Sequence, residues 1–330
     1  MSARLLVEVL RSPERISGLS DHEWNALISA ARAERLTATL AHRIGDRQVP
    51  AKIAPILNDA KAEAEREKMQ ALWEADRAQV ALAPLGIPVV LMKGTAYVAA
   101  GLSAGQGRFI GDLDILVPRD RLDEAEAALL AAGWEWVKPD PYDDAYYRLW
   151  MHELPPLIHR ERDRMIDVHH TILPLTARPT PDAEAMLADS VELPGGLRVL
   201  SPDDRICHAV AHMFADGDLA GGLRNLWDIK CLLGEMPDRT ALTQRARHHG
   251  LATHLERAIR LADHFYGKGG AITMTDHLFR ARLLFRDAWG RDSAKRLGQA
   301  FYIRSHLLRM PPMMLARHLW TKWRRGYRPV

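Results

Sequence analysis

One stretch of the sequence, from Val89 to Val117, restricts the fold more than any other part of the chain. It reads VVLMKGTAYVAAGLSAGQGRFIGDLDILV, which is an apolar run, a Lys-Gly-Thr turn, a short helical segment, a glycine-rich loop and a second apolar run. Short apolar runs bounded by turn residues are typical of buried strands. We therefore expect two strands of a central mixed sheet, joined by a short helix and a loop.

The second of these strands begins with two aspartates at alternate positions, Asp112 and Asp114. Successive side chains of a strand point to opposite faces, so residues two apart share a face. Two carboxylates that project together repel one another, and a cation offsets that repulsion. Because the ligands are hard oxygens, we expect the cation to be Mg²⁺ or Mn²⁺.

The turn after the first strand has the residue types of a phosphate-binding segment. Gly94 permits a tight backbone turn, and Thr95 belongs to the residue types that cap helices. Free N–H groups at a helix start attract phosphate oxygens, and Lys93 and Arg108 add positive charge nearby. A phosphate-binding turn that faces a carboxylate pair favours phosphoryl or nucleotidyl transfer. The structural alternatives are a snorkelling strand-end lysine and an ordinary loop arginine.

The pattern Gly94-Thr95, helix, Asp112-x-Asp114 resembles the Gly-Ser…Asp-x-Asp signature of the DNA polymerase beta-like nucleotidyltransferase superfamily. With Lys93 and Arg108 included, the stretch is similar to the broad bacterial family labelled uncharacterised nucleotidyltransferases. It also resembles the start of the abortive-infection toxin nucleotidyltransferases. Threonine replaces the usual serine, and the loop between the two halves is longer than in minimal members. The resemblance covers roughly residues 30–235, and its specificity comes mainly from this core.

Asp167 is a lone acid within the later apolar run MIDV. An unpaired buried carboxylate is expensive, so this acid needs a partner. The resemblance implies that Asp167 is the superfamily's third carboxylate, and that His169, two residues further on, lines the same cleft. The structural alternative is an ion pair between Asp167 and Arg162 or Arg164.

The resemblance implies metal-dependent transfer of a nucleoside monophosphate from an NTP to an acceptor hydroxyl or phosphate, with release of pyrophosphate. The acceptor would be a small molecule, a peptide or a saccharide. The catalytic and metal-binding residues would be Asp112, Asp114 and Asp167. The nucleotide would be bound by Lys93, Gly94, Thr95 and Arg108.

Two histidines and the basic tail leave other interpretations open. His208 and His212 have a spacing that can bind zinc, but no glutamate lies between them to act as a base. The family parallel implies that both His208 and His212 face the active-site cleft or the domain interface. The tail from Phe301 to Val330 carries seven lysines and arginines and no acid. We expect an amphipathic helix docked on the protein body with its arginines in solvent, and an RNA or membrane-surface patch is the alternative.

Two other function classes follow from these alternatives. One is a toxin-like enzyme that modifies tRNA, for which the basic tail is the supporting feature. The other is a non-catalytic nucleotide-binding module, which the intact carboxylates argue against because clustered charges are costly to keep. RNA is therefore an alternative partner rather than the expected one.

The rest of the chain predicts an α+β protein, with an α/β nucleotidyltransferase sheet core flanked by helical regions. We expect an N-terminal helical region (1–83), a catalytic core (84–200) and a C-terminal helical domain (201–330). Local patterns predict a helix capped by Ser20 and a helix over 53–82 whose charge run is solvated. They also predict a loop over 138–144, hairpins over 152–171 and around 195–196, and a helix capped by Ser201.

Composition bounds the class of protein and adds little about function. The chain of 330 residues is 47% apolar and 26% charged, with a net charge of +3, which is ordinary for a globular protein and does not by itself imply nucleic-acid binding. Its two cysteines suggest free thiols in a reducing compartment. We find neither a signal-peptide pattern nor a transmembrane segment, and we expect a cytoplasmic protein.

Overall fold

The N-terminal part is helical in the structure, a computed structural model in which residues 2–137, 140–236 and 238–324 are described. Its helices are α1 (Ser2–Arg11), α2 (Asp21–Ala33), α3 (Thr37–Ile44) and α4 (Ala54–Leu82). Ser20 caps α2 and forms a capping box with Glu23, as the sequence predicts. The long helix predicted over 53–82 is also confirmed.

The charge run of α4 is not entirely solvated. Glu67 and Glu74 are buried. Arg164 Nη2 lies 3.1 Å from Glu67 Oε2, and Arg162 donates two hydrogen bonds of 2.8 Å to Glu74. The prediction of a solvated face is therefore wrong at these two positions, because the turn of a hairpin packs against them. The same contacts engage both arginines that the sequence offered as partners for Asp167.

A mixed sheet forms the centre of the protein, which confirms the predicted α+β fold. Within the described ranges its strands are β1 (Val90–Leu91), β2 (Asp112–Leu116), β3 (Trp134–Trp136), β4 (Leu157–His159), β5 (Met165–His169), β6 (Val191–Glu192) and β7 (Arg198–Val199). Their spatial order is β3-β4-β5-β2-β1-β7-β6. The pairs β2–β5 and β1–β7 are parallel, and the other neighbours are antiparallel. Both predicted hairpins are present as β4–β5 and β6–β7.

Shorter helices connect the strands, and two of them, α7 and α8, begin at a capping aspartate. They are α5 (Lys93–Ala99), α6 (Leu122–Ala131), α7 (Pro141–Trp150) and α8 (Ala183–Ala188). The loop predicted over 138–144 is wrong from Pro141 onward, because the Asp140 side chain accepts hydrogen bonds from the N–H groups of Tyr142 and Asp143 and so starts α7. Positions 138 and 139 lie outside the described residues.

The C-terminal part is helical, as predicted. Ser201 caps α9 (Pro202–Val210), which continues into a π-helical turn over Ala211–Asp216. The following helices are α10 (Gly222–Gly234), α11 (Thr240–His248), α12 (Ala252–Tyr266), α13 (Met274–Leu284), α14 (Lys295–Arg309) and α15 (Pro312–Arg324). One continuous cluster of buried apolar side chains includes residues of the N-terminal helices, the sheet and the C-terminal helices. The division of the chain at positions 83 and 200 stays a prediction.

The prediction that the tail arginines lie in solvent is wrong for two of them. Arg309 Nε lies 2.7 Å from Asp216 Oδ1, and Arg304 Nη2 donates a 2.7 Å hydrogen bond to the carbonyl oxygen of Phe214. Positions 325–330, which include two further arginines, lie outside the described residues. Among the helices that are described, none is both long and apolar enough to cross a bilayer.

Candidate active site

Two aspartates from distant parts of the sequence lie side by side in the sheet. In the parallel register of β2 and β5, Asp114 is aligned with Asp167 and Leu116 with His169. Aligned residues of paired strands share a face, as do residues two apart on one strand. One ligand atom from each of Asp114, Asp167 and His169 lies within 4.8 Å of the others. Asp112 shares this face at the exposed start of β2.

Asp114 is the most buried of the three aspartates at this site, with 2% of its surface exposed. Its Oδ1 lies 2.5 Å from Lys93 Nζ, which donates a hydrogen bond, and 3.0 Å from His169 Nε2. Burial by itself raises the pKa of this carboxyl, but Lys93 and His169 outweigh burial and hold the pKa well below its usual range. Asp114 is therefore ionised at neutral pH.

Asp167 has the opposite electrostatic environment. Burial, followed by the charges of Asp114 and Glu153, raises the pKa of Asp167 to about 7. Carboxylates held this close ionise together only when a cation offsets their repulsion. Oxygens of two acids, with a third acid at the strand start, are a donor set that suits a hard divalent cation such as Mg²⁺ or Mn²⁺.

Glu153 is a neighbour of this site that sequence reasoning missed. It forms an isolated antiparallel bridge with His169. Its Oε2 lies 3.3 Å from His169 Nε2 and 3.7 Å from His152 Nε2. Burial raises the pKa of Glu153. The available signal was the His-Glu pair at the start of the predicted hairpin, opposite the strand that carries Asp167.

The Lys-Gly-Thr segment turns in a different way from the one predicted. The positive φ of 48° belongs to Lys93, whereas Gly94 lies inside α5. Gly94 supplies space instead, because a Cβ there would lie 2.6 Å from Arg108 Nε. The prediction that Thr95 caps α5 is wrong, since Met92 is the N-cap residue and makes no side-chain cap hydrogen bond. The buried Oγ1 of Thr95 has no hydrogen-bond partner among the described residues.

The Arg108 side chain extends from the loop before β2 and contacts α10. Its guanidinium is paired with Asp228 and lies 5.5 Å from the ring centroid of Tyr97. Asp228 also accepts hydrogen bonds of 3.0 and 2.6 Å from Arg224. The network attaches the loop before β2 to the C-terminal helices.

His212 lies next to this network, in the π-helical turn after α9. Together with Lys93 and Arg108 it lines a cavity of about 30 Å³, enough for roughly one water molecule. His208 lines the same cavity. Burial, and then the charge of Lys93, lowers the pKa of His212 to about 3, so the ring is neutral at physiological pH.

The family of the chain follows from comparison with known proteins. Residues 20–267 match the model of a family described as uncharacterised nucleotidyltransferase. The match spans most of the chain, and the protein therefore belongs to this family, as its sequence resemblance indicated. Membership supports nucleotidyl transfer as the general activity and a nucleotide as a substrate. No curated protein matches the sequence.

Proposed function

We propose that this protein transfers a nucleoside monophosphate from an NTP to an acceptor hydroxyl or phosphate and releases pyrophosphate. The observation that carries the proposal is the alignment of Asp114 with Asp167 across β2 and β5, in a member of a nucleotidyltransferase family. Closely spaced carboxylates on one face of a sheet suit a reaction that needs divalent cations beside a triphosphate.

The residues that would hold Mg²⁺ or Mn²⁺ are Asp112, Asp114 and Asp167. When bound, the cation neutralises phosphate charge and favours in-line attack at the α-phosphorus. Among the described residues, both side-chain hydrogen bonds of Asp114 are made by Oδ1. We therefore assign its Oδ2 to the cation. Asp167 would orient the acceptor oxygen and help to remove its proton.

The nucleotide-binding residues have unequal support. Lys93 is the best candidate, because its ammonium already lies at the carboxylate cluster and can stabilise negative charge on phosphate oxygens. Gly94 and Thr95 would contribute close backbone approach and a free hydroxyl. Arg108 would have to leave Asp228 to reach a nucleotide, so we assign it the task of holding the loop before β2 in place.

We propose a small molecule, a peptide or a saccharide as the acceptor. The tRNA-modifying alternative took its support from the basic tail. Arg304 and Arg309 make contacts within the protein, so the tail offers fewer free charges to RNA than its sequence suggests. A cytoplasmic location stays a prediction.

The test uses NTPs labelled at the α-phosphate, with Mg²⁺ or Mn²⁺, and fractionated small molecules, peptides, saccharides and RNA as acceptors. We expect the wild type to transfer label to a fraction other than RNA and to release pyrophosphate. Asp167→Asn should still bind the nucleotide but lose transfer. Asp59→Asn, which alters an exposed aspartate of α4, is the matched control and should behave like the wild type. Wild-type rates in Asp167→Asn would contradict the assignment, and label confined to RNA would favour the tRNA-modifying alternative.

A further inference from the structure

A second cluster of metal-ligating side chains adjoins the aspartate pair. One ligand atom from each of His152, Glu153 and His169 lies within 4.8 Å of the others. His152 and Glu153 come from the segment before β4, and the bridge between Glu153 and His169 joins that segment to the end of β5. The proposed transfer reaction assigns no task to His152 or Glu153.

The spacing of these atoms is that of ligands around one ion. The Nε2 atoms of His169 and His152 lie 3.3 and 3.7 Å from the same oxygen, Glu153 Oε2. Two ligands about 2.1 Å from a tetrahedral zinc ion are about 3.4 Å apart, because a tetrahedral edge is about 1.6 times the bond length. The two imidazole rings are tilted by 36°, with centroids 5.2 Å apart, so both rings lie beside the Glu153 carboxylate.

The charges around this cluster are also unbalanced, and the cluster is buried, since His169 is 1% exposed. Asp114, Asp167 and Glu153 bring three carboxyl groups together, and Lys93 offsets one charge. A buried excess of negative charge is costly unless further cations or protons balance it.

We propose that His152, Glu153 and His169 form a second cation site, which takes a divalent transition-metal ion of the zinc type. Two imidazoles with one carboxylate suit zinc better than magnesium, which prefers oxygen ligands. Three protein ligands leave a position open for water or a substrate atom. His169 Nε2 lies 3.0 Å from Asp114 Oδ1 and 3.3 Å from Glu153 Oε2, so an ion bound to this nitrogen would replace its hydrogen bond with Asp114. The proposal does not depend on nucleotidyl transfer, because metal binding is measured directly.

The experiment uses the full chain, stripped of metal with EDTA, and Co²⁺ as a spectroscopic probe for zinc. We expect the wild type to bind Co²⁺ at a single tight site with the strong visible absorption of low coordination numbers. His152→Ala and Glu153→Gln should each weaken Co²⁺ binding by at least about tenfold. His248→Ala removes a half-exposed histidine of α11 and should leave Co²⁺ binding unchanged.

Two results would overturn the proposal. One is wild-type Co²⁺ affinity in both His152→Ala and Glu153→Gln. The other is loss of binding in Asp167→Asn with retention in Glu153→Gln, which would assign the ion to the aspartate pair. If a variant does not fold, X-ray absorption at the zinc edge of the loaded wild type decides the question. Scattering from two imidazoles supports the site, and its absence contradicts it.

Discussion

Asp114 in the sheet and Asp204 in the C-terminal helices are both buried acids, and each contacts one histidine and one basic side chain. Around Asp204 every acceptor position is used. Its Oδ1 accepts a 2.7 Å hydrogen bond from Arg245 Nε and lies 2.9 Å from His249 Nε2. Its Oδ2 accepts bonds of 2.6 Å from Arg245 Nη2 and 2.9 Å from Ser201 Oγ. Both oxygens of Asp204 are therefore fully hydrogen-bonded, and Arg245 offsets the charge of this carboxylate.

The surroundings of Asp114 are not balanced in this way. Lys93 and His169 both contact Oδ1, and two more acids, Asp167 and Glu153, lie close by. Evolution of stability alone favours arrangements like that at Asp204, whereas clustered like charges are typical of sites that bind ions or carry out proton transfer. The comparison separates a cluster that stabilises the fold from a cluster whose unbalanced charge fits the cation binding that we propose.

The largest effect should follow from Asp114→Asn. We expect the transfer rate to fall about a thousandfold, equivalent to roughly 4 kcal/mol of transition-state stabilisation, because the proposed ligand of the cation is lost. The free energy of unfolding should also fall, because Asp114 is paired with Lys93, but by less than in Asp204→Asn, because Asp167 and Glu153 remain near Lys93. Pyrophosphate release and urea denaturation measure the two quantities. A large loss of stability would make Asp114 a structural acid like Asp204.

For Asp204 we expect the opposite result, a loss of stability without a loss of transfer activity. Asp204→Asn should lower the free energy of unfolding by about 3 kcal/mol, because breaking a buried pair leaves the charge of Arg245 poorly compensated. The folded protein should keep its transfer activity. Asp189→Asn removes the other, largely exposed partner of Arg245, 2.9 Å away, and serves as the control. It should cost less than about 1 kcal/mol in urea denaturation. Equal losses in the two variants would contradict the assignment.

A third, smaller effect is the pH dependence of the contribution that Asp204 makes to the free energy of unfolding. Burial raises the pKa of Asp204, but hydrogen bonds from His249, Arg245 and Ser201 lower it to about 2 overall, from an ordinary value of 3.8. A lowered carboxyl pKa stabilises the fold above the unfolded value, and this stability is lost as pH falls through about 4 toward 2. By pH 3 the gap in unfolding free energy between wild type and Asp204→Asn should narrow by about 1 kcal/mol. Urea titrations at pH 6, 4 and 3 measure the gap, and a constant gap would contradict this account.

Local patterns predicted the elements that the chain forms on its own. Ser20 and Ser201 are caps because the residues that follow supply the N–H groups and the apolar helical periodicity. The apolar run after Asp112 predicted the strand β2 in the same way. The alignment of Asp114 with Asp167 joins strands far apart in sequence, and only the family resemblance suggested it, since periodicity carries no information about which strands pair.

Glu153 shows where prediction from the sequence stopped. The β4–β5 hairpin pairs Leu157 with Ile166, and this register continued without a break would place Leu154 opposite His169. The structure instead places Glu153 opposite His169. The two prolines at 155 and 156 cannot donate ladder hydrogen bonds, and the register shifts by one residue across them. A one-residue shift moves a side chain to the other face of the sheet, and this shift brings Glu153 to the site.

The smallest expected effect concerns Thr95, whose buried hydroxyl has no hydrogen-bond partner among the described residues, in contrast to the hydrogen-bonded oxygens of Asp204. Thr95→Val keeps the shape and removes the unsatisfied hydroxyl, so the free energy of unfolding should rise by up to about 1 kcal/mol. If the hydroxyl serves the nucleotide, the same variant should bind the NTP several times more weakly. Thr95→Ser is the control, because it keeps the hydroxyl but leaves a small cavity, so it should lose about 1 kcal/mol of stability and keep its nucleotide affinity. Urea denaturation and calorimetric titration with an NTP analogue and Mg²⁺ give both values. A less stable Thr95→Val with unchanged affinity would mean that the hydroxyl is satisfied within the fold, and Thr95 would then belong with the stabilising groups.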